Sequence, residues 1–137
     1  MAALCDIAIG CVMQDGGALV MARLRAWDTQ ALITQADVAS ISYTIAKRST
    51  GEKVAGHTAV AATVADVIFD TIQTPANNPF WDVDPIGFNF ALEIDASANS
   101  PFPQANTDYA ITITVTLTSG NKAPFNSIVR SLKNYAS

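Results

Sequence analysis

The chain has 137 residues, eight Lys or Arg against twelve Asp or Glu, a formal charge of -4, 50% hydrophobic residues and 15% charged. That length suits one domain around one core, the apolar share excludes a disordered tail, and a pI near 4.6 has the wrong sign for affinity drawn from phosphates. One histidine, two cysteines and no dense run of carboxylates leave few parts for a hydrolase or a metal centre, so a structural or binding protein is expected, with no cofactor, no enzyme activity and no nucleic-acid partner.

Residues 1–13 are apolar, but they lack the positive start of a secretory leader and Asp6 interrupts them, so they are read as part of the fold. Apolar stretches elsewhere are broken by Asp, Arg or Lys before the roughly 20 residues a bilayer span requires, so no membrane partner is expected. Within residues 3–13, Cys5, Ile7, Ile9, Cys11 and Met13 share one strand face, while Leu4, Ala8 and Val12 share the other with Asp6 and Gly10. Gln14-Asp15-Gly16-Gly17 then makes a turn or a hinge. With a turn, the strand folds back as a hairpin on residues 18–26. With a hinge, residues 1–17 form an arm that adds to the sheet edge of a neighbouring copy through Leu4, Ile7, Ile9 and Val12. Cys5 and Cys11 would lie roughly 20 Å apart along such a strand, too far for a disulfide, and read as free thiols.

Residues 18–26 carry Leu19, Val20, Met21 and Leu24, and Trp27-Asp28-Thr29-Gln30 ends that strand. Residues 38–47 alternate, with Ile41, Tyr43 and Ile45 against Ser40, Ser42, Thr44 and Ala46, and Ser49-Thr50-Gly51-Glu52 closes them. Residues 54–62 are the expected antiparallel partner, with a bulge or loop at Gly56-His57. His57 is the one side chain suited to acid–base chemistry near neutral pH, but no nucleophile or orienting group stands at a catalytic spacing from it, and it reads as a solvated loop residue.

In residues 64–73, Val64, Val67, Ile68 and Ile72 match helical spacing while the β-branched content suits a strand; a short helical turn is expected. Asp66 with Asp70, and Asp82 with Asp84, are the carboxylate pairs spaced closely enough to share a hard cation. Each offers two ligands where calcium takes six to eight oxygens, so no metal site is expected. After a loop over 75–85, residues 87–94 alternate Phe88, Phe90, Leu92 and Ile94 with Asn89, Ala91 and Glu93, and 96–106 form another loop. The clearest alternation is Tyr109, Ile111, Ile113, Val115 and Leu117, followed by a turn over 119–122 and a returning strand over 125–132. Tyr109 stands where a tyrosine corner would tie a preceding loop to the sheet.

About seven short strands with Gly and Pro punctuation and at most one short helix predict an all-β fold, an antiparallel immunoglobulin-like β-sandwich. It spans residues 18–137, with 1–17 as an arm or extra strand. Trp27, Phe80, Trp81 and Phe102 lie in or near loops, where aromatics either grip a partner or plug the ends of the sandwich.

The segment order is also familiar: Met21-Ala22-Arg23-Leu24, then Ile33 to Val38 leading into Ile41-Ser42-Tyr43-Thr44-Ile45, then Asp66 to Gln73. Trp81-Asp82-Val83-Asp84, Gly87-Phe88-Asn89-Phe90 and the Tyr109 strand follow. Over roughly residues 20–130 this resembles small immunoglobulin-like sandwich proteins encoded among the structural genes of tailed bacteriophages, including baseplate and tail modules. The resemblance implies a virion component, on the capsid surface or in the tail, with copies of itself and other virion proteins as partners and no enzyme activity. The alternative is a monomeric module that recognises a glycan or a protein through the loop aromatics.

Overall fold

The computed structural model describes the backbone of residues 3–7 and 11, and residues 12–26 and 28–136 with their side chains. One sheet has four strands in the order β1 (Ala3–Ile7), β3 (Ala18–Ala26), β7 (Phe88–Ile94) and β6 (Ile68–Gln73). The other has five, in the order β2 (Cys11–Met13), β9 (Lys122–Leu132), β8 (Thr107–Leu117), β4 (Val38–Lys47) and β5 (Val60–Ala62). Every pairing is antiparallel except β2 with β9. A 3-10 turn, Gln35–Asp37, and one helical turn, α1 (Val64–Val67), complete the fold. It is an all-β immunoglobulin-like sandwich.

The five-stranded sheet follows directly from alternation. β4 pairs with β8 from Val38↔Leu117 to Lys47↔Tyr109, with one register shift between Val38 and Ser40. Ile41, Tyr43, Ile45, Ile111, Ile113 and Val115 therefore point inward and are buried. Val20, Leu24, Phe90, Leu92 and Ile94 of the other sheet meet them in the main core, each buried apolar side chain contributing about 1.5 to 3 kcal/mol. Ser42, Thr44, Thr112 and Thr114 take the outer face, half-buried among their neighbours. Tyr109 forms the expected corner: it is fully buried and its hydroxyl accepts the Gln104 N–H at 3.0 Å.

Nine strand segments are described where about seven were expected, and two stretches account for the difference. Residues 64–73 contain one helical turn, closed by the Ile68 N–H on the Val64 carbonyl, and then the strand β6. The N-terminal stretch takes the folded-back course, although as a segment split between both sheets and not as a hairpin. β1 pairs with β3 from Ala3↔Ala26 to Ile7↔Ala22, and β2 then runs parallel to β9 from Cys11↔Arg130 to Met13↔Leu132. A segment apolar on both sides suits a strand that leaves one sheet for the other. Residues 1–17 are thus not a free arm where described, and deleting them would strip a strand from each sheet.

Candidate functional site

The loop over residues 74–87 joins β6 to β7 and folds across the outer face of the four-stranded sheet. It caps a second, smaller core. Trp81, 2% exposed, packs on Phe88 with ring centroids 5.7 Å apart and on Met21, with Phe69 and Ala91 alongside. Polar contacts lock the loop down. Arg23, buried in the middle of β3, donates from Nη1 to both Asp84 carboxylate oxygens at 2.8 and 3.0 Å and to the Gly87 carbonyl at 3.0 Å. Asp84 Oδ1 also accepts the Trp81 indole N–H at 3.2 Å and the backbone N–H groups of Ile86 and Gly87 at 3.0 and 3.2 Å. Desolvation pushes the Asp84 carboxyl up, but hydrogen bonds from Arg23, Gly87 and Trp81 and the Arg23 charge outweigh it and bring the pKa to about 2.

Two neighbouring residues fix where the loop rejoins the sheet. Gly87 sits at φ +116°, and a Cβ there would collide with the Gln73 carbonyl oxygen, so glycine is required. Asn89 is fully buried: its Oδ1 accepts the Leu24 N–H at 2.7 Å, and its Nδ2 donates to the carbonyls of Leu24 and Ile33 at 3.0 and 2.9 Å.

Above this braced base the loop turns apolar side chains outward. Phe80 is 76% exposed, Ile86 59% and Val83 41%. Loop hydrogen bonds hold the first of them in place: Thr74 donates from N and Oγ1 to Asn77 Oδ1, and the Phe80 N–H donates to Asn78 Oδ1 at 3.0 Å. Large apolar side chains exposed on one hydrogen-bonded loop are suited to a protein contact.

Of the loop aromatics singled out in the sequence, Phe80 alone among the described residues faces solvent. Trp81 caps the small core, and Phe102, fully buried, packs edge-on to Tyr109 with centroids 5.4 Å apart. Both plug the domain because an apolar neighbour lies within reach of each. Trp27 and Ile9 lie outside the described residues, as do the side chains of Leu4 and Ile7, whose backbone belongs to β1. Val12 joins the main core.

His57 is buried, not solvated. Its Nε2–H donates to the Asn99 carbonyl at 2.8 Å, which leaves Nδ1 to accept the Tyr43 hydroxyl at 2.9 Å. The histidine thus stitches the loops over 54–59 and 96–106 together and has no free nitrogen for a substrate. Among the described residues no group of His, Cys, Asp and Glu could hold a metal ion. Asp70 accepts the Gln35 N–H at 2.8 Å, and Asp84 is committed to Arg23.

Sequence reasoning missed Arg23, Asn89, Val83 and Ile86, and it weighed Asp84 only as one of a carboxylate pair with Asp82. A signal for one pair was present: an arginine inside the apolar run Met21-Ala22-Arg23-Leu24 calls for a buried acceptor.

No family model and no curated protein matches this chain. Among solved structures the chain is similar to murine CRIg, at 8% identity and a TM-score of 0.40, over 96% of this chain and 98% of that chain.

Proposed function

We propose that this chain is a non-enzymatic assembly domain that binds other proteins, or further copies of itself, through the outer edge of the 74–87 loop. The observation that carries this reading is the exposure of Phe80, Val83 and Ile86 on a loop fixed from beneath by Trp81, Arg23 and Asp84. Anchors held in place before contact lose little conformational entropy on binding. A role as a structural protein of a tailed-bacteriophage virion is the form of this proposal that the segment resemblance supports. The commitment of His57 to Tyr43 and Asn99 favours the non-enzymatic part. A monomeric module stacking a glycan on several aromatics has less support, since Trp81 and Phe102 are buried.

Light scattering over a range of concentrations tests the self-assembly form. The wild-type chain is expected to exceed its 14.5 kDa monomer mass as concentration rises, and a Phe80→Ser/Ile86→Ser variant to stay monomeric with an unchanged melting temperature. Indistinguishable mass curves for the two would refute self-assembly through the loop.

A further inference from the structure

The sandwich leaves one flank open. β6 first meets β7 at Ile68↔Phe90, so the remainder of β7, from Ala91 to Ile94, has no strand beside it on that side, where the short turn α1 packs against β7. Across the gap, the three-residue β5 is the edge strand of the other sheet. Between these two edges lies a cleft of about 620 Å³, with α1 contributing Asp66 and Val67 to its lining.

The lining of this cleft has two parts. Leu19, Val60, Val67 and Leu92 supply apolar wall, while the charged groups are Asp66, Glu93 and Asp95, with no Lys, Arg or His among the lining residues. All three carboxylates are exposed. Asp95 is held in place by the Ser97 hydroxyl and N–H at 2.6 and 2.8 Å, and those bonds keep its carboxyl below the usual range, so it is ionised at neutral pH. The free stretch of β7 spans four residues, roughly 14 Å at strand rise, enough for several ladder hydrogen bonds.

We propose that this cleft receives an extended, lysine- or arginine-bearing strand of a partner protein, which adds to the free edge of β7 and sets its cation among Asp66, Glu93 and Asp95. Charge selects the occupant. Phosphate-bearing and acidic ligands are repelled, and residues 3–13 of a second copy carry no Lys or Arg to complement the site. This surface is separate from the Phe80 loop, and either can fail without the other.

The test uses the full chain labelled with ¹⁵N and a short blocked peptide alternating valine with lysine, beside its valine–glutamate counterpart. Amide shifts are expected at residues 60–62 and 91–95, with the lysine peptide binding at least ~10-fold more tightly and weakening as salt rises. An Asp66→Lys/Glu93→Lys variant, folded by its own spectrum, is expected to reverse that preference. Methylating alternate backbone nitrogens of the lysine peptide is expected to abolish binding. Equal affinity for the two peptides, shifts confined to residues outside the cleft, no binding at millimolar peptide, or undiminished binding of the methylated peptide would each overturn the proposal.

Discussion

Along β8 and β9 the backbone ladder runs unbroken from Thr107↔Ser131 to Thr116↔Lys122, and side chains need only alternate. Between β3 and β7 the ladder stops at Ala22↔Phe90, and a side chain takes over: Asn89 bonds both the N–H and the carbonyl of Leu24. From the residue before Leu24, on β3's outer face, Arg23 reaches the Asp84 carboxylate and the Gly87 carbonyl. The five-stranded sheet therefore rests on a repeated pattern that tolerates the loss of any one outer residue. The four-stranded sheet rests on a few particular polar side chains, each serving several backbone groups, and that concentration makes it the fragile half of the molecule.

The contrast can be broken most severely at Asn89. Asn89→Leu keeps the branched shape but leaves the Leu24 N–H and the Ile33 carbonyl buried without partners, while the Leu24 carbonyl retains only the Ile33 N–H, at about 1 to 3 kcal/mol for each orphaned group. A loss of about 3 kcal/mol or more is expected in urea unfolding; a loss below about 1 kcal/mol would mean that the strands close over the gap.

Asp84 comes next. Because its carboxyl titrates near 2, below the value of a free aspartate, its contribution is complete above the ordinary carboxylate range and is lost as pH falls toward about 2. Asp84→Asn is expected to lower the melting temperature at pH 7 and to flatten the acid limb of the stability curve; an unchanged acid limb would assign that sensitivity to other carboxylates. In the five-stranded sheet, Tyr109→Phe removes the bond from Gln104 while keeping the ring against Phe102, so about 1 kcal/mol is expected in the same unfolding assay. Thr114→Val, on the outer face opposite Ser42 and Pro124, is expected to stay within about 0.5 kcal/mol of wild type. A larger effect there would show that the outer face contributes more than its exposure suggests.

The same contrast governs what the sequence could reveal. The alternation at 38–47 predicts the bounds of β4 as observed, and residues 109–117 fall within β8, because period-two patterning is itself the cause of those strands. The tyrosine corner was legible for a similar reason, being a local arrangement with a fixed place in the strand. Asn89 looks like an ordinary outward residue of an alternating strand, and nothing local tells that it faces Leu24, 65 positions away. The candidate site was half legible: Phe80 was singled out for its type and its loop, whereas the burial of Trp81 depends on Met21 and Phe88, which only the fold brings together. His57 was misread on the same ground, since Asn99 comes to it from 42 positions away.

The parallel pairing of β2 with β9 carries a mechanical consequence. The chain reaches β2 at one end of that pair and leaves β9 at the other, so tension applied across the protein, once β1 has peeled away, slides the two strands past each other. The β2–β9 ladder and the adjoining bond from the Gln14 N–H to the Leu132 carbonyl, 2.8 Å, are then loaded together in shear, not opened one by one as in an unzipping hairpin. The N-terminal segment acts as a clasp that resists force along the molecule, although it contributes only three residues to the sheet it closes.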